Sequence, residues 1–283
     1  FDTTQVKRQK FLQTLLQTPT QVNTIQTNNL NQSNDSSDDY ILENIDSLVP
    51  EINEEKTFYG LPLKVKDLLK SLRGIGCLYE WQDELLKIMQ EKDRKELLSG
   101  KINLDKYNLL YLSPTSGGKT LVAEILILQC LLLQKKNCIF IMPYVAIVQE
   151  KVELMLPFGE KLNFYVEEYA HTKGVIPPVK RQSSRNKPTL YICTMEKAHT
   201  LINSLIEYER LNEEVGMVVA DELHMIGDGQ RGAIYEIILS KIKFCSKIKY
   251  QKILNEKSKT LKKKIELPIR IVATTATLSN KQE

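Results

Sequence analysis

The run Ser113-Pro114-Thr115-Ser116-Gly117-Gly118-Lys119-Thr120 holds the residue types that capture a polyphosphate. It lies between a short apolar stretch, 107–112, and a longer one, 121–134. A strand, a glycine-rich turn and a helix start, in that order, make an anion cradle. Backbone N–H groups of the turn face inward, and the helix N-terminus adds partial positive charge. Gly117 and Gly118 let the backbone close around phosphate oxygens. Thr115 and Ser116 complete the turn. Lys119 reaches the outer phosphates as a point charge, and the Thr120 hydroxyl is a candidate Mg²⁺ ligand. The strict pattern G-x-x-x-x-G-K-[ST] fails at its first position, where Ser113 stands. A chance Gly-Gly-Lys-Thr loop is the plain alternative.

A cradle of this kind needs a carboxylate at the tip of a neighbouring strand to hold Mg²⁺. The apolar run 216–220 ends in Asp221-Glu222-Leu223-His224. Asp221 is assigned the metal side. Glu222 is assigned the attacking water, as general base. An ordinary helix N-cap with an acidic first turn would look the same if it stood alone.

Other elements must bring these two segments together. Leu61, Val65, Leu68, Leu69 and Leu72 recur at helical spacing, and Gly74-Ile75-Gly76 ends that helix. A second helix starts at Tyr79. Strands are expected at 107–112, 138–143, 164–169, 189–194, 216–221 and 269–277, and helices at 119–134, 144–156, 195–207 and 232–243. Strands alternating with helices predict an α/β fold, a mostly parallel sheet with helices on both faces. Ligands of such sheets bind at the carboxyl ends of the strands. Residues 1–57, rich in Gln, Asn, Ser and Thr and then acidic, are expected to be a disordered linker, with one domain over 58–283.

Composition sets the remaining bounds. With 283 residues, 42% of them hydrophobic, the chain can build one sizeable core or two small ones. A net charge of +4 is too mild to announce nucleic acid by itself. Five cysteines without CxxC spacing are read as reduced, buried thiols, and three histidines without cysteine partners offer no zinc pattern. No run approaches the roughly 18 apolar residues of a membrane span, so no membrane partner is expected. Residues 11–17 are too short and too polar for a signal peptide. The chain begins with Phe1 and is read as a piece of a longer one.

The cradle and Asp-Glu-Leu-His together resemble the first motor domain of a superfamily-two helicase, a RecA-like P-loop domain. The segment 274–280, Thr-Thr-Ala-Thr-Leu-Ser-Asn, resembles the family's Ser-Ala-Thr motif, with Thr275 in place of the serine and Thr277 closing it. The resemblance implies that Thr275 and Thr277 couple ATP hydrolysis to strand grip, and that His224 stands between nucleotide and nucleic acid. A capped helix histidine is the plain reading of His224. Phe58–Pro62 with Tyr79–Gln82 resembles the adenine-recognition segment, which makes Gln82 the reader of the adenine edge; otherwise it is a surface helix residue. Residues 142–151 and 194–207 resemble the two strand-gripping motifs, which assigns Pro143, Tyr144, Thr194 and Glu196 to nucleic-acid binding, with backbone N–H groups and hydroxyls such as that of Thr194 holding phosphates without reading bases.

Over 58–280 the motifs narrow to the Ski-two-like branch, and within it to the helicase-POLQ-like DNA helicases and their archaeal relatives. The implied cofactors are ATP and Mg²⁺. The implied partner is single-stranded or forked DNA, with unidentified repair proteins, in the nucleus; the implied activity is 3′–5′ translocation in repair or replication-fork processing. The branch also contains RNA motors, and the choice of DNA rests on the resemblance alone. A second motor domain, expected beyond this chain, would supply arginine fingers. This piece alone is therefore expected to hydrolyse ATP poorly. A GTPase or small-molecule kinase is disfavoured by the lack of an Asn/Thr-Lys-x-Asp motif. A decayed, non-catalytic adaptor is disfavoured by the intact Lys119, Thr120, Asp221 and Glu222. His171 occupies a turn where the family has a small residue. The lysine-rich segment 244–268 is read as a solvated insertion or, alternatively, a phosphate-touching arm. Arg231 is read as an ordinary surface residue and is assigned no role.

Overall fold

The structure is a computed structural model that describes residues 49, 57–99, 102–114, 117–179, 187–257 and 267–276. The expected linker, apart from Val49 and Thr57, lies outside the described residues. A short antiparallel hairpin, β1 (Thr57–Phe58) and β2 (Leu61–Pro62), leads into α1 (Leu63–Arg73) and α2 (Glu80–Leu98). After the single turn α3 (Leu104–Tyr107) the chain alternates. The strands are β3 (Leu109–Leu112), β4 (Asn137–Met142), β5 (Tyr165–Tyr169), β6 (Thr189–Thr194), β7 (Val215–Ala220) and β8 (Arg270–Thr275). The helices between them are α4 (Lys119–Gln129), α5 (Val145–Leu162), α6 (Met195–Glu207), the single turn α7 (Leu211–Glu214) and α8 (Gly229–Lys257).

All pairings in the six-stranded sheet are parallel, in the order β3-β8-β7-β4-β6-β5. Strand alternation splits the core in two. Cys138, Phe140 and Met142 of β4 face one layer, with α1, α2, α4 and α5. Ile139 and Ile141 face the other, with α6 and α8. The sheet is thus covered on both faces, as continuous apolar strands require. β8 lies between β3 and β7, so the cradle strand and the Asp-Glu strand flank the strand that ends in Thr274 and Thr275.

Strand β3 starts at Leu109 rather than 107, because Tyr107 closes the turn α3, and three helix ends also differ from the sequence reading. Helix α5 does not stop at Pro157; it runs to Leu162 because Phe158 and Gly159 are buried beyond it. That packing offsets the roughly 3 kcal/mol that an interior proline costs. Helix α4 closes through a π turn, Cys130–Gln134. Helix α8 continues to Lys257 instead of ending at 243. Its buried side carries on through Ser246 and Tyr250, while the lysines stay outward. Lysine is a good helix former, so the run extends the helix until 257.

Two buried ion clusters tie the upstream helices to the rest of the domain, one to the sheet and one to α4 and α5. Arg270 of β8 makes a bidentate pair with Asp93 of α2 and lies 3.9 Å from the Tyr107 ring centre. Glu124, inside the apolar helix α4, accepts from Arg73 of α1 and, at 2.7 Å, from Lys151 of α5. Glu124→Ala would leave two cations without their counter-charge. The expected loss is about 3 kcal/mol in urea unfolding, whereas apolar replacement of all three residues together should cost far less.

Candidate active site

Strand β3 delivers the cradle at its carboxyl end. Ser113 is buried, and its N–H donates to the Thr275 carbonyl at 3.2 Å. Thr115 and Ser116 lie outside the described residues. Gly118 caps α4 at φ +78°, a left-handed conformation that glycine adopts without strain. A Cβ there would also sit 2.5 Å from Gln82 Nε2, and one on Gly117 would overlap the Ser113 hydroxyl. Gly118 is demanded by its left-handed backbone, and a side chain on Gly117 would also crowd the Pro114 carbonyl at 3.0 Å. Lys119 opens the helix, buried, with its carbonyl accepting from Tyr111 Oη at 2.5 Å. Thr120 follows it, half-buried.

The Lys119 ammonium donates to Glu222 Oε1 at 2.6 Å. The two candidate catalytic residues, far apart in sequence, therefore meet. Asp221 is 7% exposed. Its carboxylate accepts from the Thr274 hydroxyl and from the Glu222 N–H at 3.0 Å. Burial pushes the Asp221 carboxyl above its ordinary range; the Thr274 hydroxyl opposes that, and the Glu222 charge adds to it. Glu222 itself is left-handed at φ +52°, a conformation costing a non-glycine residue roughly 1–2 kcal/mol. Its Oε2 is buried and accepts no hydrogen bond among the described residues.

His224 Nδ1 lies 3.1 Å from that oxygen and 3.3 Å from Thr275 Oγ1. With a proton on Nδ1 the ring donates to the Thr275 hydroxyl; without one it accepts from it. The geometry brings His224 and Thr275 together. Thr277 lies outside the described residues. The cradle, the Asp221 carboxylate and the unsatisfied Glu222 oxygen suit a Mg²⁺–triphosphate. Lys119 and the N-terminus of α4 would hold phosphate oxygens, Thr120 and Asp221 the metal side, and Glu222 Oε2 a water. Among the described residues no cluster of three or more metal-ligating side chains forms without a nucleotide. A site with few protein ligands is what Mg²⁺ shared with phosphates requires.

Gln82 is not a surface residue: it is 1% exposed. Its Oε1 accepts from the Tyr79 N–H at 2.9 Å, and its Nε2 donates to the Gly118 carbonyl at 2.9 Å. The amide thus ties the start of α2 to the cradle. One N–H and one lone pair remain for a base edge. A cavity of about 430 Å³ lies nearby, lined by Phe58, Tyr59, Ile75, Leu78 and Asp83. It takes no lining residue from the cradle or from Asp221–His224.

The residues that the resemblance assigns to strand gripping collect in a separate groove. Met142 pairs with Thr194, so β4 and β6 end side by side. Pro143, Tyr144, His171, Thr194, Glu196 and Arg231 line a cavity of about 420 Å³ there. Arg231 was missed by sequence reasoning. Its Nε donates to Glu196 Oε1 at 3.0 Å, a second N–H reaches the Pro143 carbonyl, and the guanidinium lies 5.4 Å from the Tyr144 ring centre. The usable signal was its place, on the helix that starts just after Asp-Glu-Leu-His. The lysine-rich part of α8 takes no part in this groove. Asn212 donates to the Cys245 carbonyl and Lys249 to the Asn212 carbonyl, beside the amino end of β7. That is the sheet edge opposite the cradle, which favours the solvated-insertion reading for 244–257.

Removing the Gln82 amide leaves the Gly118 carbonyl and the Tyr79 N–H without their partner. Gln82→Ala is expected to cost about 2 kcal/mol in urea unfolding; a surface helix residue would change stability by less than about 0.5 kcal/mol.

Comparison with known proteins agrees with this geometry. Residues 87–283 match the family described as DEAD/DEAH box helicase. The Helicase POLQ-like protein of Homo sapiens is 52% identical over 195 residues, which is 69% of this chain and 16% of that protein. The ATP-dependent DNA helicase Hel308 of Methanococcus vannielii is 30% identical over 55% of this chain and 20% of its own length. The chain therefore spans about a fifth or less of these relatives. Among solved structures, the DUF1998 helicase MrfA bound to DNA superposes with a TM-score of 0.50 at 16% identity, covering 81% of this chain and 28% of that one. That likeness concerns the fold, the RecA-like arrangement of sheet and helices. With its cradle, its Asp-Glu-Leu-His strand end and the family match over 87–283, the chain belongs to the DEAD/DEAH box helicases.

Proposed function

We propose that this chain is the first motor domain of a DNA helicase of the POLQ-like type, which couples ATP hydrolysis to 3′–5′ movement along single-stranded DNA. The observation that carries the reading is one chain of contacts: Lys119 to Glu222, Glu222 to His224, His224 to Thr275. It runs from the phosphate cradle to the strand that closes the site. Two strands further along the same edge lies the groove of Pro143, Tyr144, Thr194 and Glu196.

Bound ATP with Mg²⁺ supplies the phosphoryl bond whose hydrolysis drives the motor. Lys119 would exchange its carboxylate partner for phosphate oxygens, freeing Glu222 to hold a water and take its proton. Asp221, held by Thr274, stays on the metal side. Gln82 would present its remaining N–H and lone pair to adenine. His224 would report the state of Glu222 to Thr275. In the groove, the hydroxyl of Thr194 and the backbone after Pro143 would hold phosphates without reading sequence. The similarity to Hel308, an ATP-dependent DNA helicase, supports DNA over RNA. Work in repair or at replication forks, in the nucleus and with repair-protein partners, belongs to the same proposal.

The test is ATP turnover by the complete polypeptide with single-stranded DNA, then with RNA of the same sequence. DNA-stimulated turnover that is lost in Lys119→Ala is expected; stimulation by RNA would move the protein to the RNA-remodelling side of the family. Glu222→Gln should still bind ATP but lower the DNA-stimulated kcat by about 100-fold or more. The 283-residue chain by itself should turn over ATP poorly and unwind nothing.

A further inference from the structure

Arg231 has more partners than a surface ion pair explains. The Glu196 contact alone would fit one, since the side chains are 32% and 50% exposed, and such pairs contribute little to stability. The second contact does not fit. Arg231 also donates to the carbonyl of Pro143, at the end of a different strand, and lies over Tyr144. Pro143 follows β4, and Glu196 sits in the first turn of α6, after β6. One planar guanidinium therefore spans both turns of the groove. Its fixed fork serves two diverging acceptors, which a lysine ammonium on a flexible stem does poorly.

The base of Arg231 is itself fixed. Helix α8 starts directly after the 3-10 turn Leu223–Gly227 that carries His224. Gly232 donates to the Asp228 carbonyl at 2.8 Å, and a Cβ on it would overlap the Ile226 carbonyl. Only glycine lets the helix begin that close. One turn on, Tyr235 Oη donates to the Asp221 carbonyl at 2.7 Å. Arg231 is thus held at a set position relative to the Asp221 segment. It also offsets the Glu196 carboxylate, which would otherwise repel a polyanion from the groove.

We infer that Arg231 is a positioning residue that sets the spacing of the two strand-gripping turns. Backbone N–H groups and hydroxyls of both turns then meet successive phosphates of one strand. The inference rests on the DNA-motor reading, and the experiment separates the two. In the complete polypeptide, the concentration of oligodeoxythymidylate giving half-maximal ATP turnover is measured for the unsubstituted protein, Arg231→Gln and Arg231→Lys. DNA affinity is then followed by anisotropy between about 50 and 200 mM salt. For Arg231→Gln the half-maximal concentration should rise roughly 10-fold, equivalent to losing one or two phosphate contacts. The maximal rate should fall less, and Lys should not restore the affinity. The slope of log affinity against log salt should stay unchanged, because no phosphate charge partner has been removed. Unsubstituted behaviour of Arg231→Gln, or full rescue by Lys, overturns the inference. So does a slope reduced by about one, which marks a direct phosphate ligand. If the unsubstituted protein shows no DNA-stimulated turnover, the motor reading falls and this inference falls with it.

Discussion

The contact between Lys119 and Glu222 depends on the register of three neighbouring parallel strands. Leu112 pairs with Thr275, and Ala220 with Ala273, so β7 ends two residues before its neighbours and Asp221 leaves the sheet level with Thr274. That register places the cradle, the Thr274–Thr275 pair and Asp221–Glu222 within hydrogen-bonding reach. A shift of one residue in any of the three would turn a different side chain toward the site. The two-sided core resists such a shift, because each strand buries alternate residues in opposite layers. The chemistry is thus positioned by sheet register, and the register is held by packing that touches none of the reacting groups.

Within that frame the site is built around charges that compensate one another. Lys119 is buried with one carboxylate, and Glu222 has a second oxygen left unsatisfied. Burial pushes the Asp221 carboxyl above its ordinary range, and the Thr274 hydroxyl and the Glu222 N–H oppose that. The protein does not relax Glu222 out of its left-handed conformation, although any residue but glycine is strained there. Contacts with Lys119 and the neighbouring His224 hold it in place. An anion entering the cradle would compete for Lys119 and change the balance at Glu222, His224 and Thr275 in one step. These groups form a contiguous set, so a local exchange of partners at the phosphates reaches the strand beside them.

Most of the fold was legible because its signals are local. Short apolar runs mark the strands, and Gly117-Gly118-Lys119-Thr120 and Asp221-Glu222 mark two of their ends. What escaped depends on direction and distance. Gln82 was assigned to the adenine edge from its motif. Its position three residues after the Tyr79 N-cap also makes it a capping residue, and that role decides where the amide points. Pro157 reads as a stop, yet the buried Phe158 outweighs it. The lysines after 243 read as an interruption because charge was weighed above helical spacing; Ser246 and Tyr250 keep the buried side of α8 going. Arg231 carries no motif of its own, and its significance appears only when β4 and β6 are seen to end side by side.

The two edges of the sheet have separate tasks. The amino edge carries the lysine-rich end of α8, where Lys249 and Asn212 make structural hydrogen bonds. The carboxyl edge carries the candidate nucleotide residues and the groove; there Lys119 pairs with Glu222 and Arg231 with Glu196, and Lys197 is the other cation among the described groove-lining residues. A groove without a dense positive field cannot grip a strand by charge alone. If it holds a strand as proposed, it does so through oriented backbone N–H groups and hydroxyls, whose strength depends on spacing. Spacing is what a motor can alter at small cost, by moving one turn relative to another. A field of surface lysines would hold a strand equally well in every state. The modest net charge of the chain and the pairing of Arg231 with Glu196 suit a grip that must be released as well as formed.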